Sequence, residues 1–195
     1  MFRRILSIVN ASPPPPPSPQ LEMQRDTLRD LPEIRIPRGY GLRTYRSGDE
    51  AGWCAIMEGN VGRDWTPELC REKLVNDPRF HPGNLFFATL DSRLVGSACA
   101  WSRDLTERIV GEVHMVAVLE NQRGRGLGHL VNAAVLHRLK DLGYRQAHLL
   151  TDDWRVPAIK SYLSAGFRPL HTHDTHVKRW SDVLAKLGME HPRVD

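Results

Sequence analysis

The chain is poor in cysteine, in aromatic residues and in long apolar runs. Its 195 residues include only 3 cysteines, Cys54, Cys70 and Cys99, an odd and widely spaced set. This set fits neither a zinc knuckle nor a disulfide framework, so we expect buried free thiols in a reducing compartment. The longest apolar runs are strand-sized, below the roughly 18 residues of a membrane span, so the sequence predicts no transmembrane helix.

The bulk composition indicates one folded domain of ordinary size. Hydrophobic residues make up 41% of the chain, charged residues 26%, and the net charge is +4. These values exclude collagen-like, fully disordered and disulfide-scaffold classes. No aromatic platform is interleaved with a basic run, so we expect no nucleic-acid partner. Residues 1–9 lack a full apolar region and a small-residue cleavage site, so a cytoplasmic location is expected.

Proline is concentrated at the N-terminal end. Residues 1–38 hold 8 of the 14 prolines, five of them consecutive at 13–17. Proline-rich segments favour an extended polyproline conformation and cannot bury a core. We therefore predict a disordered proline-rich tail over 1–38, followed by a folded domain over 39–195.

Strand and helix patterns alternate through that domain. Apolar periodicity and turn residues predict strands at 42–46, 85–90, 94–101, 110–118, 147–151 and 167–172. They predict helices at 49–59, 66–76, 127–142, 157–165 and 177–187. Thr66 is the expected N-cap of the second helix, with Pro67 at its first position, and Gly143 the C-terminal stop of the third. This mixed order of strands and helices predicts an α/β fold with a mixed sheet.

A glycine-rich turn joins the strand at 110–118 to the helix that follows. It reads RGRGLG at 123–128, and glycines there allow an anion to approach the backbone and the free N–H groups of the helix start. The residues thus predict a phosphate or pyrophosphate site; the alternative is a tight turn with solvated arginines. A Walker A loop is excluded because lysine and a hydroxyl residue are absent, and the dinucleotide-binding pattern also fails.

Two motifs carry a resemblance to a known family. RGRGLG at 123–128 resembles the R/Q-x-x-G-x-G/A acyl-CoA loop of the GNAT (Gcn5-related N-acetyltransferase) superfamily, and AIKSYLSAGFRP at 158–169 is similar to its A-x-x-x-Y-x-x-x-G-F segment. The resemblance covers about residues 40–172. It implies a GNAT-like α/β fold, with a mixed, mostly antiparallel central sheet flanked by helices and a splayed strand pair for acyl-CoA.

The resemblance also implies a reaction. We expect transfer of an acetyl or short acyl group from acetyl-CoA to a primary amine, by direct attack in a ternary complex; the alternative is an inactive acyl-CoA sensor. Backbone groups would hold the cofactor, with the Val118 N–H facing the thioester carbonyl. The expected cofactor-binding residues are Val116, Val118, Arg123, Gly124, Arg125, Gly126, Leu127 and Gly128.

The expected catalytic residues come from the strand at 110–118 and the second motif. The resemblance implies that Tyr162 protonates the leaving thiolate. A primary amine is mostly protonated near neutrality and needs a base, for which Glu112 and then His114 are the candidates, on one side of one strand. A water relay, or Asp152 or Asp153, is the alternative.

The remaining features of the sequence do not define which residues bind the acceptor. Arg155 stands where the family often has asparagine, and the chain ends in a predicted helix where the family commonly has a strand. Arg63 and Trp65 are candidates for the acceptor pocket, or for ordinary packing. The cluster of His171, His173, Asp174 and His176 could suggest a metal, but we expect none. We expect a small-molecule or peptide amine as acceptor, no membrane partner, and a homodimer as one assembly.

Overall fold

The computed structural model describes residues 18–104, 106 and 108–189. The strands are β1 (Leu21–Arg25), β2 (Tyr40–Thr44), β3 (Leu85–Leu90), β4 (Arg93–Trp101), β5 (Val110–Val118), β6 (Gln146–Thr151) and β7 (Arg168–Leu170). The helices are α1 (Glu50–Met57), α2 (Pro67–Cys70), α3 (Leu127–Asp141), α4 (Val156–Ser164) and α5 (Asp174–Lys186). Short 3₁₀ turns precede β3 and follow β5.

The strands form one sheet in the order β2-β3-β4-β5-β6-β1-β7. Among the strand contacts of the described residues, the one between β5 and β6 is parallel and the other five are antiparallel. A mixed, mostly antiparallel sheet flanked by helices is what the sequence predicted, and that prediction is confirmed.

The prediction of a disordered tail over 1–38 is wrong for the part that the structure describes. Residues 21–25 form β1, which lies between β6 and β7 and pairs with both. Its alternate residues Leu21 and Met23 are fully buried, so β1 is part of the core. The proline run at 13–17 lies outside the described residues. Proline content misled the prediction because the five residues of β1 contain none.

Most predicted elements lie within a few residues of the observed ones. Thr66 caps α2 as expected, its hydroxyl accepting the Leu69 N–H at 3.1 Å. The predicted helix over 66–76 is α-helical only to Cys70 and continues as a π-helical turn, Arg71–Val75. The expected strand over 167–172 is reduced to β7, and the last helix starts earlier than expected because His173 caps it.

Two apolar clusters lie on the two faces of the sheet. The larger contains the buried side of α3, with Leu130, Val131 and Val135, together with Tyr162 from α4. The smaller contains Trp53 from α1 together with Trp101 from β4. Among the described helices none is both long and apolar enough to cross a membrane.

Candidate active site

Strand β5 is bulged and separates from β6. Residues Met115 and Val116 together face Ala98 of β4, and Met115 has a φ of 53°, which a non-glycine residue seldom adopts. β5 pairs with β6 only over Val110–Glu112, although both strands continue. A gap therefore opens in the middle of the sheet, and the splayed strand pair implied by the family resemblance is confirmed.

The backbone of Val118 faces this gap. The Leu119 N–H donates to the Val95 carbonyl of β4 at 2.9 Å. Alternate residues of an antiparallel strand direct their N–H and C=O groups to opposite sides, so those of Val118 point away from β4. Val116 lies on the same splayed half of β5, as the second residue of the bulge, and is half-buried. Both main-chain positions predicted for the cofactor thus border the gap.

The glycine turn follows β5 and leads into α3. Gly124 and Gly126 have φ values of 75° and 80°, a region that side chains with a Cβ rarely occupy. A Cβ added at Gly124 or Gly128 would meet no atom within 4 Å, so the space above the loop is open. The first bond within the helix is from Leu130 N–H to the Gly126 carbonyl, and the Arg123 N–H donates to the Glu120 carbonyl, so the N–H groups of residues 124–129 remain for a ligand. This open cradle fits an anion.

Two arginines of the turn are held by other segments. Arg123 donates to Asn60 Oδ1 at 2.5 Å and to the Val118 carbonyl at 3.4 Å. Arg125 donates to the Tyr40 hydroxyl at 3.2 Å. Both side chains are exposed, so they add positive charge at the rim of the loop. The structure thus brings residues 123–128 together at the end of the gap.

The structure brings Glu112 and His114 into direct contact. Glu112 Oε1 lies 2.9 Å from His114 Nδ1, and Glu112 Oε2 accepts a bond from Arg103 Nε at 2.5 Å. Burial alone would raise the pKa of Glu112, but the hydrogen bonds and charges of His114 and Arg103 outweigh it and lower the pKa to about 2. Glu112 is therefore an ionised acceptor at neutral pH, and a weak base.

The ring of His114 is held on its face as well as at its edge. Trp101 stacks on it with 5.6 Å between ring centroids and 25° between planes. Since the Glu112 carboxylate can only accept, Nδ1 must carry the proton, which leaves the Nε2 lone pair of a neutral ring free to accept one. The His114 side chain is 32% exposed, so an incoming group can reach part of the ring.

A second carboxylate and imidazole pair lies on the neighbouring strands. Glu22 Oε2 of β1 lies 2.7 Å from His148 Nε2 of β6, and His148 is directly opposite Glu112 across the strand contact. Burial lowers the pKa of His148, although its bond to Glu22 opposes this. Sequence reasoning missed Glu22, His148 and Arg103. The apolar alternation of Leu21 and Met23 was the one signal that could have placed Glu22 on a strand.

Tyr162 lies on the opposite face of the sheet from Glu112 and His114. It is buried in the larger cluster on α4, with its ring edge-on to Phe167 at 6.1 Å. Burial raises the pKa of Tyr162 to about 12, and the charge of Arg155 opposes the rise. The phenol is therefore protonated at neutral pH, as a proton donor requires.

The alternative bases are occupied by ion pairs. Asp152 pairs with Arg155 at 3.0 Å, and Asp153 with Arg179 of α5. Hydrogen bonds from Arg179 lower the pKa of Asp153. Each of these carboxylates is therefore already paired with a guanidinium.

The remaining candidates have structural contacts. Trp65 packs edge-on against Trp53 at 4.9 Å and donates to the Val61 carbonyl, whereas Arg63 is exposed. His173 caps α5 through the Thr175 N–H, and His176 is buried beneath Thr172. Within the described part of the chain no group of three or more side chains is arranged to hold a metal.

Comparisons with known proteins agree with this geometry. A model of the acetyltransferase (GNAT) family matches residues 44–167. The mycothiol acetyltransferase of Thermomonospora curvata is 36% identical over 156 residues, covering 75% of this chain and 50% of that protein. The chain spans about half the length of the curated relatives it matches.

Solved structures show the same fold. A GCN5-related N-acetyltransferase from Sphaerobacter thermophilus is similar with a TM-score of 0.60 and 23% identity, over 79% of this chain and 50% of that one. A GNAT acetyltransferase from Colwellia psychrerythraea has a TM-score of 0.61 and 15% identity, over 78% and 53%. The residues matched by the family model include the bulged strand, the glycine turn and the helix of Tyr162, and this chain belongs to the acetyltransferase (GNAT) family.

Proposed function

We propose that this protein transfers an acetyl group from acetyl-CoA to the primary amine of a small molecule. The observation that carries the proposal is the gap between β5 and β6, which ends at an open glycine loop. A gap bordered by free main-chain groups suits an extended amide-containing arm, and the loop suits a pyrophosphate. Acetyl-CoA would supply the activated acetyl thioester.

Different residues of the chain would bind different parts of acetyl-CoA. The amides of residues 124–128 and the rim charges of Arg123 and Arg125 would hold the pyrophosphate. The splayed backbone at Val116 and Val118 would hold the arm. The Val118 N–H is the donor that would stabilise negative charge on the carbonyl oxygen during transfer.

His114 is the base in this proposal, and Glu112 positions it. Glu112 fixes the tautomer and stabilises the positive ring after proton uptake, while Trp101 fixes the plane of the ring. This reverses the order of the two candidates that the sequence suggested. The reason is that a carboxylate with a pKa of about 2 has little tendency to take a proton from an amine.

Tyr162 is the acid. Its phenol stays protonated at neutral pH. Tyr162 lies on one face of the sheet, in the larger apolar cluster, and His114 lies on the other face. The gap between β5 and β6 joins those faces. An amine would be deprotonated on the His114 side, and the departing sulfur would receive its proton on the Tyr162 side.

Direct transfer without a covalent enzyme intermediate agrees with the state of the cysteines. Cys54, Cys70 and Cys99 are free and buried. Burial raises the pKa of each thiol, that of Cys70 to about 12. Protonated buried thiols are poor nucleophiles. Free thiols also agree with a cytoplasmic location, which we propose for this protein.

A small-molecule acceptor is supported by the relatives. Those 30–36% identical are named mycothiol acetyltransferases, after a small molecule rather than a protein. We propose an acceptor of that kind, with its amine directed to His114. Pairing of two copies into a homodimer is a further part of the proposal, open to test by light scattering.

The test is release of free CoA thiol from acetyl-CoA in the presence of a panel of small primary amines and of lysine peptides. We expect turnover with a small amine, and a loss of about 10²–10⁴-fold in kcat for Tyr162→Phe. Turnover with peptides alone would refute the acceptor class. Tight binding of acetyl-CoA with no turnover on any amine would favour the inactive sensor instead.

A further inference from the structure

Two arginines from opposite sides of the gap between β5 and β6 contact the same residue. The two strands run parallel, so the turns that follow them lie at one edge of the sheet, where the strands have separated. Arg123 follows β5 and donates to Asn60 Oδ1 at 2.5 Å. Arg155 follows β6 and donates from Nη2 to the Asn60 carbonyl. Asn60 thus connects the two sides of the gap at its open end.

This connection places the Arg155 guanidinium close to the expected position of the thioester. Arg123 also donates to the Val118 carbonyl at 3.4 Å, and the Val118 N–H is the group that would face the thioester. Contacts therefore lead from Arg155 through Asn60 to the Val118 side of the gap. Tyr162 lies two helical turns after Arg155, on the same side of α4. The expected place of the sulfur is thus bordered by a guanidinium and a phenol.

The guanidinium of Arg155 is held in one orientation. Its Nε pairs with Asp152 at 3.0 Å, and its Cζ lies over the Trp154 ring, 4.7 Å from the ring centroid. Among the described residues its Nη1 has no hydrogen-bond partner, and the side chain is 19% exposed. A charge that is fixed by its neighbours and keeps a donor free suits a negative charge that forms at a defined place.

The departing sulfur needs such a charge. A thiol like that of cysteine has a pKa of about 8.5. Burial raises the pKa of Tyr162 to about 12, so the phenol holds its proton more tightly than the new thiol would. Transfer of that proton to the thiolate is therefore unfavourable by itself. A nearby guanidinium, which stays charged at any physiological pH, stabilises the sulfur anion and the phenolate alike.

We propose that Arg155 stabilises the negative charge on the sulfur of acetyl-CoA as the carbon–sulfur bond breaks. The amine nitrogen forms a bond to the acyl carbon and loses a proton to His114, and the sulfur departs with the electron pair of the broken bond. Tyr162 supplies the proton that completes the free thiol. Water then takes the proton from His114 and returns one to Tyr162. This inference rests on the proposed function, since it adds a residue to the same reaction.

The test compares two acyl donors that differ in the leaving atom. Single-turnover rate constants are measured at saturating acetyl-CoA and at saturating acetyl selenoester of CoA, with the amine of the panel that wild type acetylates fastest. A selenol is a stronger acid than a thiol, so its anion departs with less stabilisation. We expect Arg155→Leu to lose about 10²-fold with acetyl-CoA, but about tenfold or less with the selenoester.

Arg179→Leu is the matched control. Arg179 pairs with Asp153 as Arg155 pairs with Asp152, its side chain is 20% exposed, and it donates to the Pro19 carbonyl at 2.6 Å, but it belongs to α5. We expect this variant to change the rate constant by the same factor with both donors.

A second pair of variants covers the case in which Arg155→Leu does not fold. Arg155→Lys keeps the positive charge and Arg155→Gln removes it. We expect the lysine variant to transfer from acetyl-CoA faster than the glutamine variant, and the difference to shrink with the selenoester.

Two results would contradict the inference in distinguishable ways. Equal losses with the two donors would limit Arg155 to folding or cofactor binding, and would overturn its role at the sulfur while leaving the proposed function intact. Absence of turnover by wild type with every amine of the panel would overturn the proposed function and this inference with it.

Discussion

At the scale of single residues, the site depends on one carboxylate that fixes one imidazole. Glu112 is buried between His114 and Arg103, and both hold it in the ionised form. Its function is to orient and stabilise its neighbour, because a group with a pKa of about 2 is already deprotonated at any physiological pH. The different roles of Glu112 and His114 can therefore be tested by substituting each residue in turn.

The first prediction concerns which of the two residues takes the proton from the amine. His114→Asn is expected to lose about 10²–10⁴-fold in kcat, whereas Glu112→Gln retains more activity. His148→Asn is the comparison, since that ring bonds Glu22 rather than Glu112. If Glu112 is itself the base, Glu112→Gln will be the most damaging change.

The second prediction concerns stability in acid. The pKa of Glu112 is lowered from 4.5 to about 2, so its contribution to folding is fully present above pH 4.5 and is lost as pH falls toward 2. We expect the free energy of unfolding of wild type to fall by about 2 kcal/mol more than that of Glu112→Gln over this interval. Urea unfolding of both proteins at a series of pH values measures this difference in the free energy of unfolding. Parallel curves would show that Glu112 is not held ionised.

At the scale of elements, strand β5 and the turn after it form the cofactor surface together. The bulge at Met115 changes which backbone groups face β4, and the separation from β6 leaves Val118 facing the gap. The turn then needs glycine at two positions with positive φ before α3 begins. Most of the groups that would bind the cofactor are thus main-chain groups. A substitution affects them only if it changes the geometry of the backbone.

The third prediction compares the two ends of α3. Gly126→Ala and Gly143→Ala both place a Cβ at positive φ, 80° and 90° respectively, and each is expected to destabilise the fold by about 1 kcal/mol. Only Gly126→Ala is expected to weaken the binding of acetyl-CoA, by about tenfold, since only that end of α3 supplies amides to the loop. Calorimetry with both variants measures the difference. Equal affinities would remove the loop from the cofactor site.

At the scale of the whole molecule, the sheet is completed by a strand from the N-terminal side of the domain. β1 lies between β6 and β7, and it brings Glu22 to His148 across 126 positions of sequence. Arg25 of the same strand donates to the Ala165 carbonyl at the end of α4. β1 thus connects the sheet to the larger apolar cluster, to the end of α4 and to the polar cluster beside the site.

The fourth prediction tests the place of β1 in the core. Met23→Ala is expected to lower the free energy of unfolding by about 2–5 kcal/mol, because Met23 is fully buried. Met189→Ala is the control, since Met189 is an exposed methionine near the other end of the described chain. We expect urea unfolding to show a large loss for the first and little change for the second. A small loss for Met23→Ala would mean that β1 is dispensable.

The sequence predicted local features better than distant pairings. The apolar period of α3, the Thr66 cap and the glycine turn depend on neighbouring residues, and the structure contains all three. β1 was missed because prolines on both sides of it suggested disorder. The contact between Glu112 and Arg103 was missed because a loop arginine carries no periodic pattern. The order of the two base candidates depended on burial, which the sequence does not show.

We infer that the gap between β5 and β6, with its glycine loop, binds acyl-CoA. A calorimetric titration of wild type and Tyr162→Phe with acetyl-CoA, with ATP and NADH as controls, measures this binding. We expect both proteins to bind acetyl-CoA selectively at low micromolar concentration, since the phenol acts in transfer and not in binding. Absence of binding, or equal binding of ATP, would contradict it.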